Sequence, residues 1–348
     1  MGSAKDVNFY DNKTGFFRFR DDFSVLDLVA AYEIKMASQI RGKGLALWRM
    51  AKKTFELLAA EGIPTHYVGA PLEGVIDFYF AKVYDCHIRR GGEPIKGPKF
   101  TVDFNYNIPA NETCFVIPLE VIGRNELGPD SSIMKMAIKG EVKPEDVGLE
   151  KFSTDGKLPH PITTYTTKYE KGDKFLTRAQ ALALSGLTLE QFNKLETLEK
   201  KVQNALDVHA GNISERYAID FSHPDGKREW IFSNGELMVG DVAGTLDEDR
   251  FEIRLDDGTV LKLSKQILRD WMASTTWYQE KFLPWKNQLK VPEKWTVEQP
   301  PAVPAELLEY VMKVYDVGSR MWTMEAEPAE VEDLIAYFKR LREASIIK

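Results

Sequence analysis

Residues 225–241 read D-G-K-R-E-W-I-F-S-N-G-E-L-M-V-G-D. Asp225, Lys227 and Glu229 recur at every second position, the period at which strand side chains share a face. Asn234-Gly235 is a hairpin signal, so the chain turns back and returns Asp241 towards that face. Taken alone, such an alternation describes a solvated strand. A two-residue Asn234-Gly235 turn would set Glu229 opposite Gly240 and put Asp241 on the wrong face. A three-residue loop, Ser233-Asn234-Gly235 with Gly235 left-handed in a bulge, pairs Lys227 with Asp241 instead. Glu229 then lies diagonal to Asp241, roughly 7–8 Å away between backbones, a gap two carboxylates can span to one metal. The longer loop is the expectation, because a shared ion requires it.

The remainder of the chain narrows the choice. With 348 residues it can bury a large core, and two domains are expected. Its 43% hydrophobic and 28% charged residues are those of a globular protein. A net charge of −7 argues against a general nucleic-acid binder, since neutralising phosphates needs a basic surface. It leaves room for a local basic pocket. Cys86 and Cys114 suggest no disulfide framework, and the five histidines form no metal-ligand pair of known spacing. No apolar signal region or membrane-length run is present, which reads as a cytoplasmic protein with no membrane partner.

The order of elements reads as α+β. GFFRFRDDF alternates like a strand around Phe17, Phe19 and Phe23. In LALWRMAKKTFELLAAEG, Leu47, Met50, Ala51, Phe55 and Leu58 recur at three and four, predicting a helix that stops at Gly62. Short β-rich pieces follow to about residue 118, with a loop or hairpin at GGEPIKGPK (91–99). Residues 140–175 read as irregular. Thr177 with Gln180 and Thr188 with Gln191 form capping-box patterns for two helices, the second expected to stop near Gly211. EIRLDDGTVLKLS reads as a hairpin turning at Asp257-Gly258. After a linker, VPEKWTVEQPPAVP, helices are expected at about 304–317 and from Pro328 onward. Residues 1–118 thus form a β-rich lobe with one helix, and 119–348 an α+β lobe ending in a helical extension.

No phosphate loop of the G-x-x-x-x-G-K-[ST] type, dinucleotide fingerprint or serine-hydrolase elbow is present. Lysines and arginines near strand-like segments, with clustered acids, suit a nucleotide phosphate site in which carboxylates hold Mg²⁺. Six segments in order resemble the SAICAR synthetase (phosphoribosylaminoimidazole-succinocarboxamide synthase) family of purine biosynthesis. They are GSAKDV (2–7), RFRDDFSVLD (18–27), IRGKGLALWRMAKKTFELLAAEGIPTHYVG (40–69), IPLEVIGRNELGPDSSIMK (117–135), HPITTYTTKYEKGD (160–173) and DGKREW with the later Gly-Asp (225–241). Any one is weak; together they span about 250 residues.

The resemblance implies a two-lobed fold, related to ATP-grasp and reminiscent of protein kinases, with ATP and CAIR in the cleft between lobes. It implies an ATP-dependent ligase that activates CAIR as an acyl phosphate and joins it to L-aspartate. Residue by residue, it places Lys5 and Lys168 on nucleotide phosphates and Glu229 and Asp241 on Mg²⁺. Asp225 and Lys227 complete the acid–base strand, Lys227 near the transferring phosphoryl group. Arg124, Ser132 and Arg250 would take the CAIR phosphate, with Lys43 near the substrate. The segment before Pro118 would be the adenine hinge, and the family suggests a homodimer. Read singly, Lys5, Lys43 and Lys168 are solvated lysines, Arg124 and Arg250 ion-pair residues, and Glu229 and Asp241 exposed hairpin acids. Alternatives are a carboxylate–amine ligase or kinase-like transferase for another phosphorylated substrate, and a non-catalytic nucleotide-binding protein.

The pattern departs from the family at Ser3, Ser131, Val242 and Asp249, and ISERYAIDFSH looks inserted. An acid at 249, beside a phosphate pocket, is unfavourable unless it points away.

Overall fold

The computed structural model describes residues 5–22, 39–79, 108–109, 111–128, 131–153, 156–168, 174–264, 266–284 and 300–347. The expected loop at 91–99, the strand-like pieces between 80 and 107, Cys86, Gly2 and linker residues 291–299 lie outside the described residues.

Alternating burial builds the first sheet. Strands β1 (Lys5–Phe9) and β2 (Thr14–Phe19) pair antiparallel, and Phe17 and Phe19 point to the core. Helix α1 (Lys43–Ala60) buries Leu47, Met50, Ala51, Phe55 and Leu58, the face its periodicity predicts, and ends ahead of Gly62. Strands β3 (Tyr67–Gly69) and β4 (Val75–Tyr79) complete a four-stranded sheet of order β1-β2-β4-β3.

The second sheet has eight strands. It opens with β5 (Cys114–Val116) and β6 (Leu119–Glu126), followed by the short helix α2 (Ser132–Ile138). Strand β7 (Lys157–Thr167) then runs through the stretch expected to be irregular. Its ladder to β6 shifts register between Ile162 and Lys157, and Pro159 and Pro161 fall within that shift, where no donor is required. The prolines disguised a strand. After β8 (Phe175–Leu176) come α3 (Arg178–Ser185) and α4 (Leu189–Tyr217), each with the expected capping box. Helix α4 does not stop near Gly211. Its apolar face continues through Ile213 and Tyr217, both buried, and Ala218 closes it at φ 52°. Most of the apparent insertion therefore belongs to this helix and to the strand after it.

That strand, β9 (Asp220–Ser233), organises the sheet. Its first half lies between β6 and β11 (Asp249–Arg254), and its second half between β5 and β10 (Glu236–Gly240). β11 continues the sheet to β12 (Val260–Lys262), the predicted hairpin. Helix α5 (Gln266–Ser274) and a π-helical turn at Tyr278–Phe282 follow, then α6 (Ala305–Trp322) and α7 (Pro328–Glu343). Helix α6 packs on α1, where Arg49 Nη1 donates to Ser319 Oγ at 2.9 Å and Trp322 Nε1 to Thr54 Oγ1 at 3.0 Å. Among the described residues, no helix is long and apolar enough to cross a membrane.

The β9–β10 turn overturns the expected three-residue loop. Ser233 pairs with Glu236 and Glu229 with Gly240, so the turn is the two-residue Asn234-Gly235, with φ of 49° and 89°. Positive φ at both positions matches the strand twist, which is why Asn-Gly favours this turn. Asp241 consequently lies one residue past the ladder. Its own left-handed conformation, φ 54°, takes it off the alternation that would have carried it to the wrong face.

Candidate active site

Opposed residues in an antiparallel ladder project from the same face. Asp225 stands opposite Arg124 of β6 on one side and Arg250 of β11 on the other. Lys227 stands opposite Ile122, and Ile122 opposite Thr164 of β7. The three alternating β9 residues thus share one face with Arg124, Glu120 and the residues just past β7. The rise of a strand sets Asp225 and Glu229 ~13 Å apart along it.

At one end of this face two arginines converge on an aspartate. Arg124 Nη1 donates to Asp225 Oδ2 at 2.9 Å, its Nε to Thr164 Oγ1 at 2.9 Å and its Nη2 to Ser132 Oγ at 3.3 Å. Arg250 Nη1 reaches the same Asp225 oxygen at 3.0 Å. Ser132 begins α2, which Ser131 caps by accepting from Met134 N. A cavity of about 190 Å³ opens here, lined by Arg124, Ser132, Asp225, Lys227, Asp247, Arg250 and Arg269. Its convergent donors suit a phosphate group.

The other end is acidic and capped by lysines. Glu229 pairs with Lys168, and Asp241 with Lys5, whose ammonium also lies 5.0 Å from the Phe17 ring centre. Burial, and then the charges of Asp241 and Glu120, push the Glu229 carboxyl up to about 7 despite Lys168. Burial also pushes Asp241 up, but Lys5 and then Lys168 outweigh it and hold that carboxyl below the usual range. Two confined carboxylates, with the charge of Asp241 raising the cost of ionising Glu229, are suited to a divalent cation. Mg²⁺ commonly takes one or two carboxylates and completes its shell with waters and substrate phosphates.

Lys227 joins the two ends. Its ammonium lies 3.1 Å from Glu248 Oε2 and 3.4 Å from Glu120 Oε2, and Glu120 Oε1 accepts from Lys168 at 3.4 Å. Glu248 most of all, then Glu120 and Glu229, outweigh burial and raise its pKa well above the ordinary lysine value. It is a fixed cation.

Beneath the sheet lies a second charged group, and it answers the question raised by position 249. Asp249 is among the residues that line the cavity, but its carboxylate is buried and accepts from His223 Nε2 at 2.7 Å, Arg228 Nη2 at 3.1 Å and Gly244 N at 2.9 Å. Arg228 also lies 3.6 Å from Glu199 of α4. Burial opposes ionisation of Asp249, but Arg228 and His223 overcome it and lower its pKa.

The structure therefore brings Lys168, Glu229, Asp241, Lys5 and Lys227 together, and gathers Asp225, Arg124, Ser132 and Arg250 around the cavity. Side-chain exposures of 14% for Lys5 and 12% for Lys168 rule out freely solvated lysines. Lys43 is fully buried behind the cavity and reaches it through Asp247, 2.9 Å away. Glu120, Asp247, Glu248 and Arg269 line or brace the site without having been singled out in the sequence. His66 is another such residue: buried and, with its pKa lowered to about 4 chiefly by that burial, neutral. Its Nε2 donates to the Asp241 carbonyl at 2.8 Å, which holds that residue's left-handed turn. Glu120 and His66 lie inside quoted motifs, but nothing local distinguished them from their neighbours.

Comparison with known proteins gives a consistent answer. A family model described as SAICAR synthetase matches residues 1–284. A protein of Archaeoglobus fulgidus named putative phosphoribosylaminoimidazole-succinocarboxamide synthase is 33% identical over 331 residues, covering 90% of this chain and 91% of that one. Among solved structures, SAICAR synthase from Saccharomyces cerevisiae, complexed with SAICAR, superposes with a TM-score of 0.59 at 19% identity, covering 93% of each chain. A type-2 SAICAR synthetase in complex with ADP gives 0.54 at 19% identity, covering 84% of this chain and 99% of that one.

Proposed function

The chain belongs to the SAICAR synthetase family of purine-biosynthesis ligases, and from that premise we propose that it joins CAIR to L-aspartate using ATP. A carboxylate resists amines because its oxygen is a poor leaving group. Transfer of the ATP γ-phosphoryl group to the CAIR carboxylate makes an acyl phosphate and releases ADP. The aspartate amine then attacks the carbonyl carbon, the C–O bond to phosphate breaks, and a proton leaves nitrogen. SAICAR and phosphate result.

The observation that carries this reading is the single face on β9. A phosphate-sized cavity with converging arginines lies at one end, a pair of confined carboxylates at the other, and Lys227 between them. Arg124, Ser132 and Arg250 would hold the CAIR phosphate, with Asp225 keeping the two guanidinium groups aimed at one point. Lys5 and Lys168 would leave their carboxylates for nucleotide phosphates as Mg²⁺ is taken by Glu229 and Asp241. Mg²⁺ held there would supply positive charge against the phosphates. Lys227, a permanent cation, would stabilise the transferring phosphoryl group instead of acting as a base. The ADP complex of a relative supports nucleotide use. Residues 1–118 would form the ATP side of the cleft and 119–348 the substrate and metal side, in a cytoplasmic enzyme.

The test is ADP release from Mg²⁺-ATP with CAIR and L-aspartate added singly and together. Release requiring both, and falling by about 100-fold or more in Glu229→Gln and Asp241→Asn, is expected. Turnover indifferent to either substrate would reject this assignment.

A further inference from the structure

Helices α6 and α7 lie beyond residue 284, where the family match ends, yet α6 reaches the active-site loop. Residues 242–248 connect the Mg²⁺-site acid Asp241 to β11, and they carry two groups that line the cavity, Asp247 and Glu248. Contacts from α1 and α6 to three loop residues, Gly244, Leu246 and Asp247, fix this loop. Thr54 Oγ1 of α1 receives Trp322 Nε1 at 3.0 Å and lies 3.4 Å from the Gly244 carbonyl. Gly244 sits at φ 65°, and a Cβ there would come within 2.2 Å of the Thr54 hydroxyl, so only glycine permits this approach. Leu246 packs over Gly318 of α6. Lastly, Tyr315 donates its hydroxyl to Asp247 Oδ1 at 2.6 Å, while Lys43 Nζ approaches Asp247 Oδ2 at 2.9 Å. Lys43 is fully buried, also donates to the Asp22 carbonyl at 3.1 Å, and lies 5.9 Å from the Tyr315 ring centre.

This arrangement addresses an electrostatic difficulty. Asp247 is an acid on the wall of a cavity whose arginines are placed for a phosphate. A carboxylate free to rotate there would compete with the substrate for Arg250. One oxygen is held by Lys43 and the other by a buried hydroxyl, which fixes the orientation of the carboxylate. We propose that Tyr315 is a positioning residue for the substrate pocket, holding Asp247, and through it Lys43, so that the cavity stays open to an anionic substrate. The inference rests on the reading that this cavity receives the CAIR phosphate. Burial first, and then the neighbouring Asp247 charge, keep the Tyr315 hydroxyl protonated, so it remains a donor throughout the working pH range.

Tyr315→Phe, Asp247→Asn and the double variant test it in the full-length protein. In Tyr315→Phe the KM for CAIR should rise about ten-fold, as expected for losing a buried hydrogen bond to a charged group. The KM for Mg²⁺-ATP and kcat should stay within about two-fold, and the tyrosine change should add nothing further in the Asp247→Asn background. Equal effects on both substrates, or additive effects in the cycle, would overturn the proposal. Hydrogen exchange supplies a readout independent of turnover. Amides of residues 242–248 should exchange faster in Tyr315→Phe but not in Tyr337→Phe, which removes a hydroxyl between α7 and α6 away from the loop. If the wild-type protein makes no SAICAR, the substrate reading fails, and loop exchange alone then decides the role of Tyr315. Unchanged exchange would reject it.

Discussion

Asp249 directly precedes a cavity arginine in sequence, yet its carboxylate passes beneath the sheet to Arg228 and His223. The alternation of strand faces sends the side chains of neighbours 249 and 250 to opposite sides of the sheet. A buried charge that loses its partner is strongly destabilising, so Asp249→Asn should lower stability by about 3 kcal/mol in urea unfolding. A loss below about 1 kcal/mol would mean that Glu199 suffices for Arg228. Glu199 provides a pH test. Burial raises its folded pKa to about 7, above the ordinary carboxylate value of 4.5. The native state therefore holds the proton more tightly than the unfolded chain. This contribution is fully present below pH 4.5 and is lost as pH rises through about 7. The stability of wild type relative to Glu199→Gln should accordingly fall between pH 5 and 8, and a difference independent of pH would sink the assignment. Lys168, Glu229, Asp241 and Arg124 stood out as candidates because each occupies a recognisable motif. Glu120, Asp247 and Tyr315 were not, since each acquires meaning only from a partner distant in sequence.

Secondary structure was read most reliably where local chemistry decides it. Thr177 and Thr188 accept from the amides of Gln180 and Gln191, as their spacing implies, and α1 buries the stripe its periodicity defines. The errors arose where tertiary pairing overrides local signals. Pro159 and Pro161 suggested a loop, but β6 offers a ladder that shifts register around them. At the β9–β10 turn the bulge was unnecessary, because a left-handed Asp241 achieves the same placement. Gly235→Ala should therefore cost about 1–2 kcal/mol, from left-handed strain alone, while leaving the KM values unchanged. Gly226→Ala should cost more. A Cβ at 226 would lie 1.9 Å from Asp249 Oδ2 and 2.5 Å from Arg228 Nη1, so the β9–β11 pairing must move. Thermal unfolding of the two variants side by side gives the ranking, and an equal loss would refute it.

In the whole molecule, the candidate site is assembled from both sheets. Lys5 of β1 reaches Asp241 just past β10, while His66 accepts the Tyr79 amide on its carbonyl and donates its own amide to Val239. A nucleotide with Mg²⁺ bound at this seam should stabilise the entire fold, since binding to the native state alone adds about 2.7 kcal/mol at a ligand concentration 100 times Kd. ADP with Mg²⁺ should raise the thermal midpoint by several degrees. ADP with a chelator, or Mg²⁺-ADP with Glu229→Gln, should do so far less. Equal stabilisation by metal-free ADP would remove Glu229 and Asp241 from the metal site.

By itself the sequence determined the α+β class, the capped helices, the charged strand at 225–229 and, through ordered motifs, the family. Those features follow from residue periodicity, backbone preference and short-range spacing, all of which are local. Only the tertiary structure decided that β7 is a strand, that the Asp249 carboxylate is buried, that Asp241 is left-handed, and that α6 contacts the 242–248 loop. Each of these depends on which distant chain segment fills the adjacent space, and burial and charge pairing take their meaning from that neighbour.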